Sequence, residues 1–297
     1  MKGTILTLFA VALFLCGCSK STPGPKADQS KTFSINFNLA GLSQTVVDYK
    51  QTGSLSTDPP SALKDYVHYL SYFIFGSDGK FVRTIKQTDT SPSFGLISDN
   101  VPAGDYTVVF VASKYDLSFG ATTTLSTARL FSTAIDDDIF FKKITLTVGS
   151  KDISQSLVLD RVVGYVEVAL KETLPSNVAK VDFAIQNDYA NLLFSTGSFT
   201  IAGVPSEKRL SKVLSTEEER TNITFGATVL NDTGNVIVQI ICYNSAGTVI
   251  KEVKVQNVQC VKNKRTVLSG KVFASATGGF SVSLNTLWDS DPISVSF

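Results

Sequence analysis

Cys18 is the residue whose setting most plainly calls for chemistry. It closes the run Leu15-Cys16-Gly17-Cys18 at the end of a short apolar stretch. Lys2 supplies a positive start, Ile5 to Leu15 is apolar but for Thr7, and Gly17 is the small residue at the cut. That is the layout of a secretion signal. A thiolate just after the cut can take a diacylglycerol, and the amine freed by cleavage can be acylated. Each buried methylene adds about 0.8 kcal/mol, so more than one acyl chain holds a protein stably on a bilayer. Residues 1–17 are therefore expected to be a lipoprotein signal peptide, with Cys18 the lipidation site and a membrane held through that lipid. A hydrocarbon span needs about 20 apolar residues, and this run is far shorter. A plain signal peptide that ends near a cysteine is the alternative.

The other reactive residue types are sparse. Cys16 leaves with the signal, so Cys242 and Cys260 are the cysteines of the body. In an exported chain they can form a disulfide, or they can be two small buried side chains; both lie in strand-like apolar text. His68 is the single histidine, and any Ser-His-Asp or Cys-His device would have to use it. It stands amid Val67, Tyr69 and Leu70, where a packed or rim histidine is the expectation. No Cys/His spacing suits zinc, and no metal site is expected. Asp136-Asp137-Asp138 could attract calcium, but consecutive aspartates lack the alternate spacing of an EF-type loop, and like-charged runs are usually solvated. Gly278-Gly279 reads as a strand-entry turn, so no phosphate loop or cofactor is implied. With 20 Phe, 9 Tyr and one Trp, the aromatics suit core filling better than a sugar platform, and Trp288 reads as a plug at the end of a sandwich. No catalytic residue is expected.

Positioning any of these groups falls to strands. Hydrophobic residues make up 43% of the 297 and charged residues 18%, so a packed core is feasible. Lys+Arg is 27 against Asp+Glu 26, a balance that argues against a nucleic-acid partner, which needs a basic face. Residues 18–30, rich in Ser, Pro and Lys, read as a tether. Phe33, Ile35, Phe37 and Leu39 then alternate with Ser34, Asn36 and Asn38, the period of a half-buried strand. Tyr66 to Phe75 is apolar on both parities, so it is expected to be covered on both sides. Ser77-Asp78-Gly79 turns it back into Phe81 to Ile85 as a hairpin. Ser206 to Arg220 is the best helix candidate. The spacing of strands and turns predicts an all-β chain: two tandem antiparallel β-sandwich domains, residues 31–160 and 161–297, after the signal and tether. One large sandwich is the alternative.

Three stretches carry a family likeness. Leu159-Asp160-Arg161-Val162-Val163-Gly164-Tyr165-Val166-Glu167-Val168 comes first, then residues 263–273, Asn263-Lys264-Arg265-Thr266-Val267-Leu268-Ser269-Gly270-Lys271-Val272-Phe273. Phe280-Ser281-Val282-Ser283-Leu284-Asn285-Thr286-Leu287-Trp288 follows near the end. Together with the cysteine signal, this order resembles the Bacteroidetes fimbrillin-like lipoproteins, and within them the fimbrial anchor subunits. The resemblance implies transthyretin-like sandwiches, lipid attachment at the cell outer membrane with a surface-exposed body, and cell adhesion through fimbriae. It implies other fimbrial subunits as partners, joined by β-strand addition at an open sheet edge. Stalk subunits of that family lose a first strand by cleavage after an early arginine. Here the first arginine is Arg83, so Phe33 to Leu39 is expected to stay, as suits an anchor. The alternative function is an outer-membrane glycan-binding lipoprotein of a nutrient uptake system.

Overall fold

The computed structural model describes residues 31–42, 63–120, 122–200, 206–232, 234–273 and 280–285. The signal, the tether and Cys18 lie outside them, as do Gly278-Gly279 and Trp288. Strands dominate because side chains alternate between core and solvent. In β1 (Thr32–Leu42) Phe33, Ile35, Phe37 and Leu39 are buried while Asn38 is exposed. The first half continues with β2 (Tyr69–Gly76), β3 (Phe81–Thr88), β4 (Leu96–Pro102), β5 (Gly104–Ser113), β6 (Ser118–Phe119), β7 (Arg129–Phe131), β8 (Ile139–Val148) and β9 (Ile153–Arg161). The second half holds β10 (Gly164–Leu170), β11 (Lys180–Asp188), β12 (Asn191–Leu193), β13 (Ser198–Thr200) and β14 (Ser206–Val213). It ends with β15 (Thr224–Val229), β16 (Asn235–Tyr243), β17 (Val249–Gln259), β18 (Arg265–Gly270) and β19 (Ser281–Asn285). The chain is all-β, as expected; the helical elements among the described residues are two short 3-10 turns, Leu63–Asp65 and Glu218–Arg220.

The first half forms one sheet in the order β3-β2-β5-β8-β9-β1-β4. Strands β8 and β9 pair over Phe140↔Arg161 and Phe141↔Asp160, and there the sheet turns a corner. Its two limbs enclose a core in which the Phe37 and Phe110 rings meet edge to face at 5.0 Å and Tyr72 lies 5.6 Å from Phe110. The expected hairpin is present. Gly79 takes φ +74°, where a side chain would be strained, and its N–H donates to Gly76 O at 2.9 Å. Strand β2 is covered on both faces, as apolar residues on both parities predict. Leu70, Tyr72 and Ile74 face the sandwich core, while Phe73 and Phe75 face a further layer. That layer is a small sheet, β13-β12-β7-β6, to which both halves of the chain contribute strands, and it buries Leu130, Leu192, Phe194 and Phe199.

The second half stacks β15-β10-β18-β19 on β14-β11-β16-β17. Its core is mostly Val and Ile, with Phe183 stacked on Phe225 at 5.6 Å. Each half also contains one parallel pair, β1 with β9 and β10 with β18, so that strands distant in sequence close each sandwich.

The helix expected over Ser206 to Arg220 is not there. Its first part is β14, paired antiparallel with β11 from Lys180↔Val213 to Asp188↔Ser206. The residue types are good helix formers, but Lys208, Leu210 and Lys212 share one parity and turn inward. A ladder to β11 and burial against the core outweigh a propensity difference of a few tenths of a kcal/mol per residue.

Candidate assembly surface

The sequence offered few groups for chemistry, and those described are engaged in structural contacts. His68 Nδ1 lies 2.7 Å from Asp89 Oδ2 on an exposed rim. The aspartate run diverges. Asp136 pairs with Lys114 and Tyr115, and Asp138 takes two 2.7 Å bonds from the Arg161 guanidinium. Asp137, only 1% exposed, accepts the Ser132 hydroxyl at 3.0 Å. Burial pushes its carboxyl up to about 6. Carboxylates aimed at three different partners do not converge on one cation, and no metal-ligating cluster occurs among the described residues.

Of the two readings of Cys242 and Cys260, a disulfide or two small buried side chains, the structure has the second: both cysteines are free and buried. In the β16–β17 ladder Cys242 faces Lys251, whereas Gln259, the neighbour of Cys260, faces Asn235 at the other end. At about 3.3 Å per residue the two lie roughly 20 Å apart along the ladder, far beyond the ~7 Å between Cα atoms that a disulfide can span. Burial holds both thiols protonated, pushed up to about 12.

The three stretches scattered through the sequence become neighbours. Strand β10 lies parallel to β18, with Tyr165 opposite Arg265, and β18 pairs antiparallel with β19, with Thr266 opposite Leu284. Backbone bonds stitch the entry to this sheet: Asn263 N–H donates to Val163 O at 2.8 Å and Tyr165 N–H to Lys264 O at 2.9 Å. Arg161 reaches Asn263 Oδ1 at 3.3 Å, and Arg265 pairs with Glu167. Gly164 lets the strands approach, since a Cβ there would stand 2.8 Å from Val261 O. The same parallel closure occurs in the first half, where β1 lies between β9 and β4 with its apolar face in the core.

Sheet edges differ in how they are finished. On the first sandwich, side chains of β3 cover the free edge of β4. Gln87 Nε2 donates to Leu96 O at 2.8 Å, Gln87 Oε1 accepts Gly95 N–H at 3.0 Å, and Arg83 bonds Asn100 O at 3.1 Å and Asp99 at 3.0 Å. On the second sandwich, Lys208 of β14 donates to Thr228 O of β15 at 2.7 Å and closes that side. The opposite side carries β17 and β19, the outermost strands of their sheets among the described residues. Strand β17 runs for 11 residues with mostly exposed side chains, and Lys251 and Lys254 mark it as a solvent edge. Sequence periodicity located these strands but carried no signal for which of them would be outermost.

Comparison with known proteins follows the same outline. The family described as fimbrillin-A associated anchor proteins Mfa1 and Mfa2 matches residues 25–254. Among solved structures, the fimbrial anchor protein Mfa2 of Porphyromonas gingivalis superposes with a TM-score of 0.52 at 16% identity, over 86% of this chain and 96% of that one. A candidate polysaccharide-binding protein of Bacteroides thetaiotaomicron gives 0.55 at 14% identity, over 89% and 98%. A candidate adhesin of Bacteroides ovatus gives 0.52 at 12% identity, over 82% and 88%. At such identities the likeness is one of fold. No curated protein sequence matched.

Proposed function

The chain belongs to the fimbrillin-A associated anchor protein family, and on that footing we propose that it is the membrane-anchored, anchor-like subunit of surface fimbriae. Residues 1–17 direct export, Cys18 carries the lipid, and residues 18–30 tether the body to the outer membrane. Residues 31–160 and 161–297 form the two sandwiches, and neighbouring subunits join by β-strand addition. One observation carries this reading: β1 lies inside its sheet between β9 and β4, while on the second sandwich β17 and β19 are outermost strands among the described residues. A subunit of that design keeps its first strand and offers backbone at the other end, since an unpaired edge gains a ladder of hydrogen bonds from an incoming strand. Deletion of the gene should leave cells with fimbriae of altered length or attachment; imaging that finds them normal sinks the proposal. Replacing Cys18→Ala should yield a folded protein that leaves the membrane fraction.

A second reading has its own observation. A shallow depression of about 530 Å³ opens beside β4, lined by Asn36, Asn38 and Ser98 together with apolar Ile85, Leu96 and Ile97. It carries no charged side chain, and its mix of apolar, amide and hydroxyl surface suits a neutral glycan, which presents both hydroxyls and C–H faces; its volume is in the range of small-ligand sites. A glycan array probed with the purified protein tests it; an array without hits removes this reading and leaves the fimbrial one standing.

A further inference from the structure

The least ordinary chemistry in the molecule is a lysine sealed inside the second sandwich. Lys208 is 3% exposed and Asp188 is fully buried. They sit on adjacent strands, β14 and β11. A register shift between Ile185 and Asp188, with Asn187 at φ +64°, swings Asp188 inward. Lys208 Nζ lies 3.2 Å from Asp188 Oδ2, yet that oxygen accepts no well-formed hydrogen bond among the described residues. The other oxygen, Oδ1, receives two backbone N–H groups, from Leu230 at 2.8 Å and Asn231 at 2.9 Å. A second buried acid, Asp137, comes from the loop between β7 and β8. Its charge acts on Lys208, and its Oδ1 makes no hydrogen bond among the described residues.

We propose that Lys208 and Asp188 condense to an intramolecular amide, a covalent cross-link between β14 and β11. The roles follow from position. Lys208 Nζ is the nucleophile and Asp188 Cγ the electrophile. The amides of Leu230 and Asn231 are aimed at the oxygen that turns negative when nitrogen adds to carbon, at the 2.7–3.1 Å that such donors require. Asp137, buried with an unpaired Oδ1, takes the part of proton relay, since a carboxyl held at about 6 can both take a proton and return it near neutrality. The balance closes without any further reagent. The ammonium loses one proton to free its lone pair, the C–N bond forms, and the C–Oδ2 bond breaks. Oδ2 departs as water with two of the three ammonium protons, and the third stays on the amide nitrogen. An ammonium and a carboxylate become a neutral amide and water. Two opposing charges in a dry core are costly to keep, and well-oriented intramolecular partners reach effective molarities of about 10⁵–10⁸ M. The closing Lys208 bond to Thr228 O holds the amine in place while this happens. Since β14 is the outer strand of its sheet, the link would stop that edge from peeling under tension.

Tryptic digestion of the purified full-length protein, read by mass spectrometry, tests this. Asp188 and Lys208 fall on one fragment, since no lysine or arginine lies between Lys180 and Lys208. The expected product runs from Val181 to Arg209, uncut after Lys208 and lighter by one water, with fragment ions joining the two side chains. Lys208→Arg should restore the full mass, and Asp137→Asn should leave most of the folded protein cut after Lys208. A wild-type fragment of full mass ending at Lys208 overturns the proposal, whatever the variants do. So does a fragment lighter by one water that is still cut after Lys208, since that is cyclisation of an aspartate alone.

Discussion

The two sandwiches solve the same packing problem with different materials. The first fills its core with rings, Phe37, Tyr72, Phe110 and Phe140, and closes its open side with Arg83 and Gln87 reaching from β3 to β4. The second fills its core with Val and Ile, closes one side with a buried lysine, and leaves β17 and β19 outermost on the other. Both share one device, a parallel pairing of their first strand with a late one. A common closure with contrasting edges separates what holds each sandwich together from what it can offer to a neighbour.

The contrast can be broken most severely at Phe37. Phe37→Asp should abolish the cooperative melt of the first sandwich, because an unpaired buried charge costs several kcal/mol and total stabilities are of that order; Phe110→Ala should cost about 3–5 kcal/mol by denaturant titration. In the second sandwich the largest loss should come from charge instead. Lys208→Met strands Asp188 in the core and should cost about 3–5 kcal/mol by the same titration. Acidity sharpens the same point. The folded pKa of Asp137, about 6, lies above its ordinary 3.8, so the folded state binds the proton more tightly. The stabilisation this brings is full below the ordinary value and is lost as pH rises through about 6. Chemical denaturation at pH values across that window should show a fall of up to about 3 kcal/mol that Asp137→Asn flattens.

Smaller effects probe the edges. Arg83→Ala leaves buried Asp99 with one fewer partner and should cost about 1–3 kcal/mol while opening the β4 edge. Along β17, Lys251 and Lys254 stand on opposite parities of an unbroken stretch of register, so one N–H points to β16 and the other away. Proline at the inward position should destabilise the protein by removing a ladder bond. At the outward position it should change stability by less than about 0.5 kcal/mol and block strand addition, read as loss of subunit capture. Equal capture by both variants would show that β17 is not the joining edge.

Local pattern carried much of the fold. The alternation in β1, the doubly apolar text of β2, and the glycine-bearing turns before β3 and β17 each fix a conformation through contacts a few residues apart, which a sequence displays directly. The segment 206–213 was misread because its charged residues favour helix in isolation, and only the ladder to β11 turns Lys208 into the core. The aspartate run was legible as three acids but not as three separate fates.

What the sequence determined by itself was the strand text and the balance of charge, because periodicity and composition are local properties. The tertiary structure alone decided the two parallel closures, the separation of Cys242 from Cys260, the meeting of Lys208 with Asp188 and the identity of the open edges. The parallel closures depend on register between strands a hundred or more residues apart, as with Ile35 opposite Ile153 and Tyr165 opposite Arg265, and the others on which residues a bulge or a neighbouring strand turns inward. No local pattern encodes such a pairing; it is set by which arrangement buries the most apolar surface while leaving the fewest backbone groups unpaired.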